Sequence, residues 1–159
     1  MATLSVTSSD YPRPYRNVRL GYFPEAASQT FVRGELLVLN TTTDKGNQCK
    51  LAGADPTTDR AILGFAAEAA SGTEGTNIAV WLATPDAEFL IRCEDGAAID
   101  NDDLSVRYGI VKDTDNTIWR LDRSETSSTV FTVLRLIDDH GDINGRLVVK
   151  FIASEILHG

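Results

Sequence analysis

The chain has 159 residues, 42% of them hydrophobic, and a formal net charge of −8. That length and apolar share predict one domain with a real core. The acidic balance speaks against a nucleic-acid binder, which needs a basic face to displace counterions from phosphate, and no apolar run approaches the ~20 residues that cross a bilayer as a helix.

Residues 1–30 read unlike the rest. They hold three of the five prolines and three of the four tyrosines, and their three arginines outnumber Asp10 and Glu25. Tyr11-Pro12-Arg13-Pro14-Tyr15-Arg16 cannot be helix interior, because each proline removes a donor and restricts its predecessor. The segment reads as an extended, mildly basic arm on an acidic body. Either it wraps its own domain, as many termini do, or it docks on another chain. Tyrosine and arginine are the residues enriched in interface hot spots. Tyr11, Arg13, Tyr15, Arg16, Arg19 and Tyr22 are therefore the candidate binding residues. The stretch MATLSVTSSDYPRPYR lacks the basic start and apolar run of a secretory signal, which predicts a soluble protein not secreted by the general route.

From Phe31 onward, short apolar runs alternate with turn-forming clusters. Leu36 to Leu39 predicts a strand, and Gln48 to Ala52 its hairpin return across the polar loop at 40–47. Ile62 to Ala67 predicts a strand too, although its alanines also allow a helical face; Gly64 and the strand-like surroundings favour the strand. Ile78 to Leu82 and Phe89 to Ile91 follow, separated by Thr84-Pro85-Asp86, so that Ala61 to Cys93 reads as three antiparallel strands joined by two turns. Leu104, Val106 and Tyr108 alternate with Ser105 and Arg107, as a half-buried strand does, and Ile110 and Val111 continue it. Ile118 to Leu121, Val130 to Ile137 and Leu147 to Ile152 complete the series. Short strands at near-regular spacing predict an all-β barrel or sandwich.

Reactive centres are harder to find. Asp100, Asp102 and Asp103 cluster, as do Asp138, Asp139, His140 and Asp142, and Asp113-x-Asp115 begins like a calcium loop. None has the glycine and terminal glutamate that such a loop needs, so solvated turns are the better reading and no metal is expected. The histidines are His140 and His158, and no GxSxG elbow accompanies them. With 23 acids in the chain, carboxylate pairs are inevitable and carry little weight. No glycine-rich phosphate loop is present. Trp81 and Trp119 can stack on sugars, but each sits in an apolar run that suits core packing better. Cys49 and Cys93 form no CxxC, and two buried, reduced thiols are expected. No cofactor is implied, and a structural or binding protein is more plausible than an enzyme.

Three motifs carry a family resemblance: Phe31-x-x-Gly34-Glu35-Leu36-Leu37-Val38-Leu39, Ile62-Leu63-Gly64-Phe65-Ala66-x-x-Ala69, and Gly75-x-x-Ile78-Ala79-Val80. Together they resemble the head decoration, or cement, proteins of tailed bacteriophages, with the lambda type the nearest analogue. The resemblance spans residues 31–92 by pattern and the arm by position, whereas residues 95–159 do not align with it. It implies a small β-barrel or β-tulip-like body at 31–159 behind an extended arm at 1–30. It also implies a non-enzymatic role on the virion, after synthesis in the host cytoplasm. The protein would bind the outer capsid surface and bridge major capsid protein subunits, as a homotrimer, with the six arm residues gripping the shell. Two alternatives stay open: a tail-tube or head–tail joining protein, and a carbohydrate-binding module using Trp81 or Trp119. A hydrolase working through the acidic loops is the weakest reading.

Overall fold

The computed structural model describes residues 11–41, 47–58, 61–94, 96–113 and 118–157. Eleven strands run through the described residues. They are β1 (Arg13–Arg16), β2 (Leu20–Pro24), β3 (Leu36–Leu39), β4 (Cys49–Leu51), β5 (Ile62–Ala66), β6 (Asn77–Leu82), β7 (Glu88–Arg92), β8 (Arg107–Lys112), β9 (Trp119–Asp122), β10 (Phe131–Leu136) and β11 (Arg146–Phe151). The helical elements described are single 3-10 turns, at Pro56–Thr58, Asn101–Asp103 and Ala153–Glu155. The all-β class expected from the strand spacing is what the chain adopts.

The strands form two antiparallel sheets, one in the order β1-β7-β11-β10-β8-β9 and the other β2-β6-β5-β3-β4. Neither closes into the expected barrel. Single parallel bridges bring strand ends together, Glu25 to Cys49 in the smaller sheet and Cys93 to Leu121 in the larger. In the smaller sheet the Ala26 N–H donates to the Cys49 carbonyl at 2.9 Å, and Pro24, two residues earlier, has no N–H to add to that bridge.

Within the segment expected to be an arm, β1 pairs with β7 and β2 pairs with β6, so residues 13–24 are edge strands of the two sheets, in keeping with the alternative that it wraps its own domain. Edge strands tolerate proline because one side of their backbone makes no ladder. Pro14 lies opposite Phe89, and the register slips between Pro14 and Arg16. Asn17, at φ +57°, then turns the chain from one sheet to the other; asparagine adopts this left-handed conformation more readily than most residues.

The two sheets share one core. Phe65 of β5 meets Phe89, Phe131 and Phe151 of the larger sheet, with ring centroids 5.2, 6.5 and 5.6 Å away. A second cluster, including Phe31, Leu37, Leu63, Ile78 and Val80, fills the other side of the smaller sheet. All five residues of β5 are buried in consequence.

Two further expectations change. β5 and β6 pair, but β7 crosses to the other sheet after Thr84-Pro85-Asp86, so the three runs do not form one meander. β8 starts at Arg107 rather than Leu104. The preceding residues are taken up by the turn at Asn101–Asp103, after which Ser105 turns at φ +66° and leaves Leu104 exposed.

Candidate binding surface

The N-terminal strands and the turn before β3 enclose a cleft of about 480 Å3, lined by residues 11–13, residues 32–34 and Trp81. Gly34 makes this junction possible. Its φ is +91°, and a Cβ at this position would lie 2.7 Å from Tyr11 Cβ. The backbone of Gly34 is pinned in turn by a 2.8 Å hydrogen bond from its N–H to the Ala66 carbonyl. Trp81, on β6, stands in register with Leu20 on one side and with the core residue Phe65 on the other. Its ring is half-buried, and the Arg33 guanidinium lies 5.0 Å from the ring centroid.

β2 borders this region with an open edge. Leu82 N–H donates to the Arg19 carbonyl, and Glu25 N–H donates to the Thr76 carbonyl, both at 2.8 Å. In an antiparallel ladder such bonded positions alternate along the strand. The odd-numbered residues of β2 therefore point their main-chain groups at β6, and Leu20 and Tyr22 point theirs away from it. β2 ends its sheet's strand order, so no described strand continues the ladder there. The side chains of Leu20 and Tyr22 are 54% and 64% exposed, high for large apolar groups.

The structure divides the six sequence-derived candidates among three places. Tyr11 and Arg13 line the cleft. Tyr15 and Arg16 sit at the edge of the larger sheet. There Arg135 lies 5.5 Å from the Tyr15 ring centroid and donates to its hydroxyl at 3.3 Å, while Arg16 is 3.5 Å from Glu88. Tyr22 is on β2 of the smaller sheet, with Arg19 just before it. Val32 and Arg33, which also line the cleft, were not among the candidates, and Trp81 entered only through the sugar-binding alternative. Arg33-Gly34 read as turn chemistry, and Trp81 read as core.

The acidic clusters have structural work to do. Asp100 and Asp103 form a reciprocal capping box around the turn at 101–103. Asp103 is fully buried and accepts hydrogen bonds from the Tyr108 hydroxyl at 2.8 Å and from Arg123 Nε at 2.9 Å. Burial, followed by that hydrogen bond, raises the Tyr108 phenol. Arg123 is held more firmly protonated: burial opposes its charge, but the bonds to Asp103 outweigh burial. Asp138 binds Arg146 through two oxygens, which lowers its carboxyl. Asp142 caps its own loop through the Asp139 N–H, and His140 contacts Asp100 at 3.4 Å. Among the described residues, no group of three or more such side chains is arranged to hold a metal. Asp115, His158 and residues 1–10 lie outside the described residues.

Glu25 shows how the surface strand is anchored. It is fully buried and accepts bonds from the Ser71 N–H, the Ser71 hydroxyl and the Gly72 N–H, at 2.8, 2.6 and 2.9 Å. These bonds fasten the end of β2 to the 71–76 turn. Trp119 is 1% exposed, which removes it as a sugar platform. Cys49 and Cys93 are buried and unbridged, and burial pushes each thiol up to about 11. No helix of the described residues is long and apolar enough to cross a membrane. No protein-family model matches the chain, and no curated protein matches its sequence.

Proposed function

We propose that this chain is a non-enzymatic decoration protein that binds the outer surface of a phage head and bridges major capsid protein subunits. The observation that carries the reading is the adhesive surface built from residues 11–24 and Trp81. It joins a strand edge that no described strand covers, exposed Leu20 and Tyr22, and a cleft rich in aromatic and guanidinium groups. An unpaired edge flanked by apolar side chains is a template for another chain and a hazard if left bare. The −8 charge disfavours nonspecific aggregation while this surface engages. A homotrimer would present three such surfaces, and weak contacts would then add through effective concentration.

The test is co-sedimentation with emptied, expanded heads, using Leu20→Ser/Tyr22→Ser. Both side chains are exposed, so the fold should survive, which the unfolding midpoint checks. Retention on heads should fall at least tenfold. Unchanged retention, with the fold intact, would remove this surface as the grip and with it the support for the decoration role.

A further inference from the structure

We infer that the cleft at Arg13, Arg33 and Trp81 receives an acidic, extended peptide segment of the partner protein. The inference rests on the proposed reading that residues 11–24 face a partner, and it names the chemistry that the partner must present.

Charge is the first argument. The chain holds 23 acidic and 15 basic residues, so carboxylates are plentiful. Arg16, Arg120, Arg123 and Arg146 each have one within ion-pair distance. Arg13 and Arg33 have none among the described residues, although both line the cleft. Two guanidiniums that have no carboxylate at ion-pair distance among the described residues therefore line one cleft of an acidic protein, and they suit an anionic partner.

The second argument is the shape of the cationic group. Arg33 is already held against the face of Trp81 at 5.0 Å. Stacking on an aromatic ring orients a guanidinium and leaves its N–H edge free to take a carboxylate with two bonds. Less rotamer freedom is then lost when the ligand arrives.

The third argument separates a peptide from a small anion or a nucleic acid. Trp81 and the 39% exposed Val32 add apolar surface that inorganic anions cannot use. Leu20, in register with Trp81, offers main-chain groups at the open edge. An extended chain can bond that edge while every second side chain, roughly 6.5–7 Å apart, turns to the same face. Acidic residues alternating with apolar ones fit such a surface. A nucleic acid would bring one charge per nucleotide against a −8 body, and so pays a repulsion that a short acidic peptide largely avoids.

The probe is a blocked peptide alternating glutamate with phenylalanine, and the readout is tryptophan fluorescence. Trp119 is buried, so a saturable change reports Trp81. The glutamine analogue of the peptide should bind at least tenfold more weakly. Arg13→Ala/Arg33→Ala should lose at least tenfold in affinity, and Arg33→Lys should lose part of it, because lysine keeps the charge without the fork. Equal binding of the acidic and glutamine peptides overturns the inference. So does wild-type affinity in the double variant, or displacement of the peptide by an equal concentration of a single-stranded oligonucleotide. Phage heads separate this inference from the functional reading. If the double variant loses the peptide but keeps the heads, the cleft stands as an acidic-segment site and head binding lies elsewhere. If the intact chain sediments with heads but ignores the peptide, the cleft inference fails alone.

Discussion

Phe65→Ala tests how the two sheets are held together. Phe65 is fully buried and is the aromatic ring that the smaller sheet contributes to the Phe89, Phe131 and Phe151 group. Truncation removes the ring from between two sheets whose backbones are fixed by their own ladders, so the space cannot readily collapse. Phenylalanine-to-alanine changes in such cores cost about 3–5 kcal/mol. Against a total stability of roughly 5–15 kcal/mol, the loss is large. At about 2–4 °C per kcal/mol for a chain of this size, the midpoint should fall by roughly 6–20 °C. Urea unfolding followed by fluorescence supplies the free energy, since Trp119 reports the core. Phe65→Leu, which keeps most of the volume, should recover more than half of the loss. A cost below about 1 kcal/mol for Phe65→Ala would refute the reasoning, because a ring meeting three others cannot be that dispensable.

Other outcomes follow from single positions. Gly64 has φ +141°, and a Cβ there would lie 1.9 Å from the Trp81 carbonyl oxygen; Gly64→Ala should therefore cost more stability than Gly53→Ala, whose Cβ meets nothing, in paired urea melts. Burial, and then the charge and hydrogen bond of Asp122, raise the Glu94 carboxyl. An acid raised in the folded state contributes stability while protonated and loses it as pH rises through the raised value, so Glu94→Gln should gain on the wild type as pH rises above the ordinary carboxylate range and match it below that range. With both thiols buried and pushed up to about 11, Cys49 and Cys93 should resist a maleimide at about pH 8 in the folded protein and react once guanidinium unfolds it.

Much of the strand series was legible because its signals are local. Ile62-Leu63-Gly64-Phe65-Ala66 is apolar throughout since both of its faces are covered, and Gly64 marks a close backbone approach rather than a helix fault. The Leu104 start failed because alternation was read without the cap. Asp100 and Asp103 close a turn that exposes Leu104, a reciprocal pairing that overrides a period of two. Sheet membership was not legible either. Nothing in Thr84-Pro85-Asp86 says that β7 leaves β6 for the other sheet, because that depends on where Phe89 finds its ring partners.

The N-terminal segment left two readings open for a reason that bears on function. Its prolines, arginines and tyrosines argue against a central strand, and an edge strand is the one place in a sheet that accepts them. Composition that reads as an extended arm belongs, in β1 and β2, to two edges. An edge needs one ladder and leaves the other side of its backbone unused, so the residues that disqualify a segment from the interior equip it to meet something outside. Pro24 makes the point at a single atom. It has no N–H to give a ladder, and it ends the strand whose outer edge, which no described strand covers, carries Leu20 and Tyr22. Arg33 and Trp81 became visible only when the fold set a turn residue from before β3 over a ring from β6, nearly fifty residues later in the chain. A site assembled across a sheet in this way leaves no spacing to read.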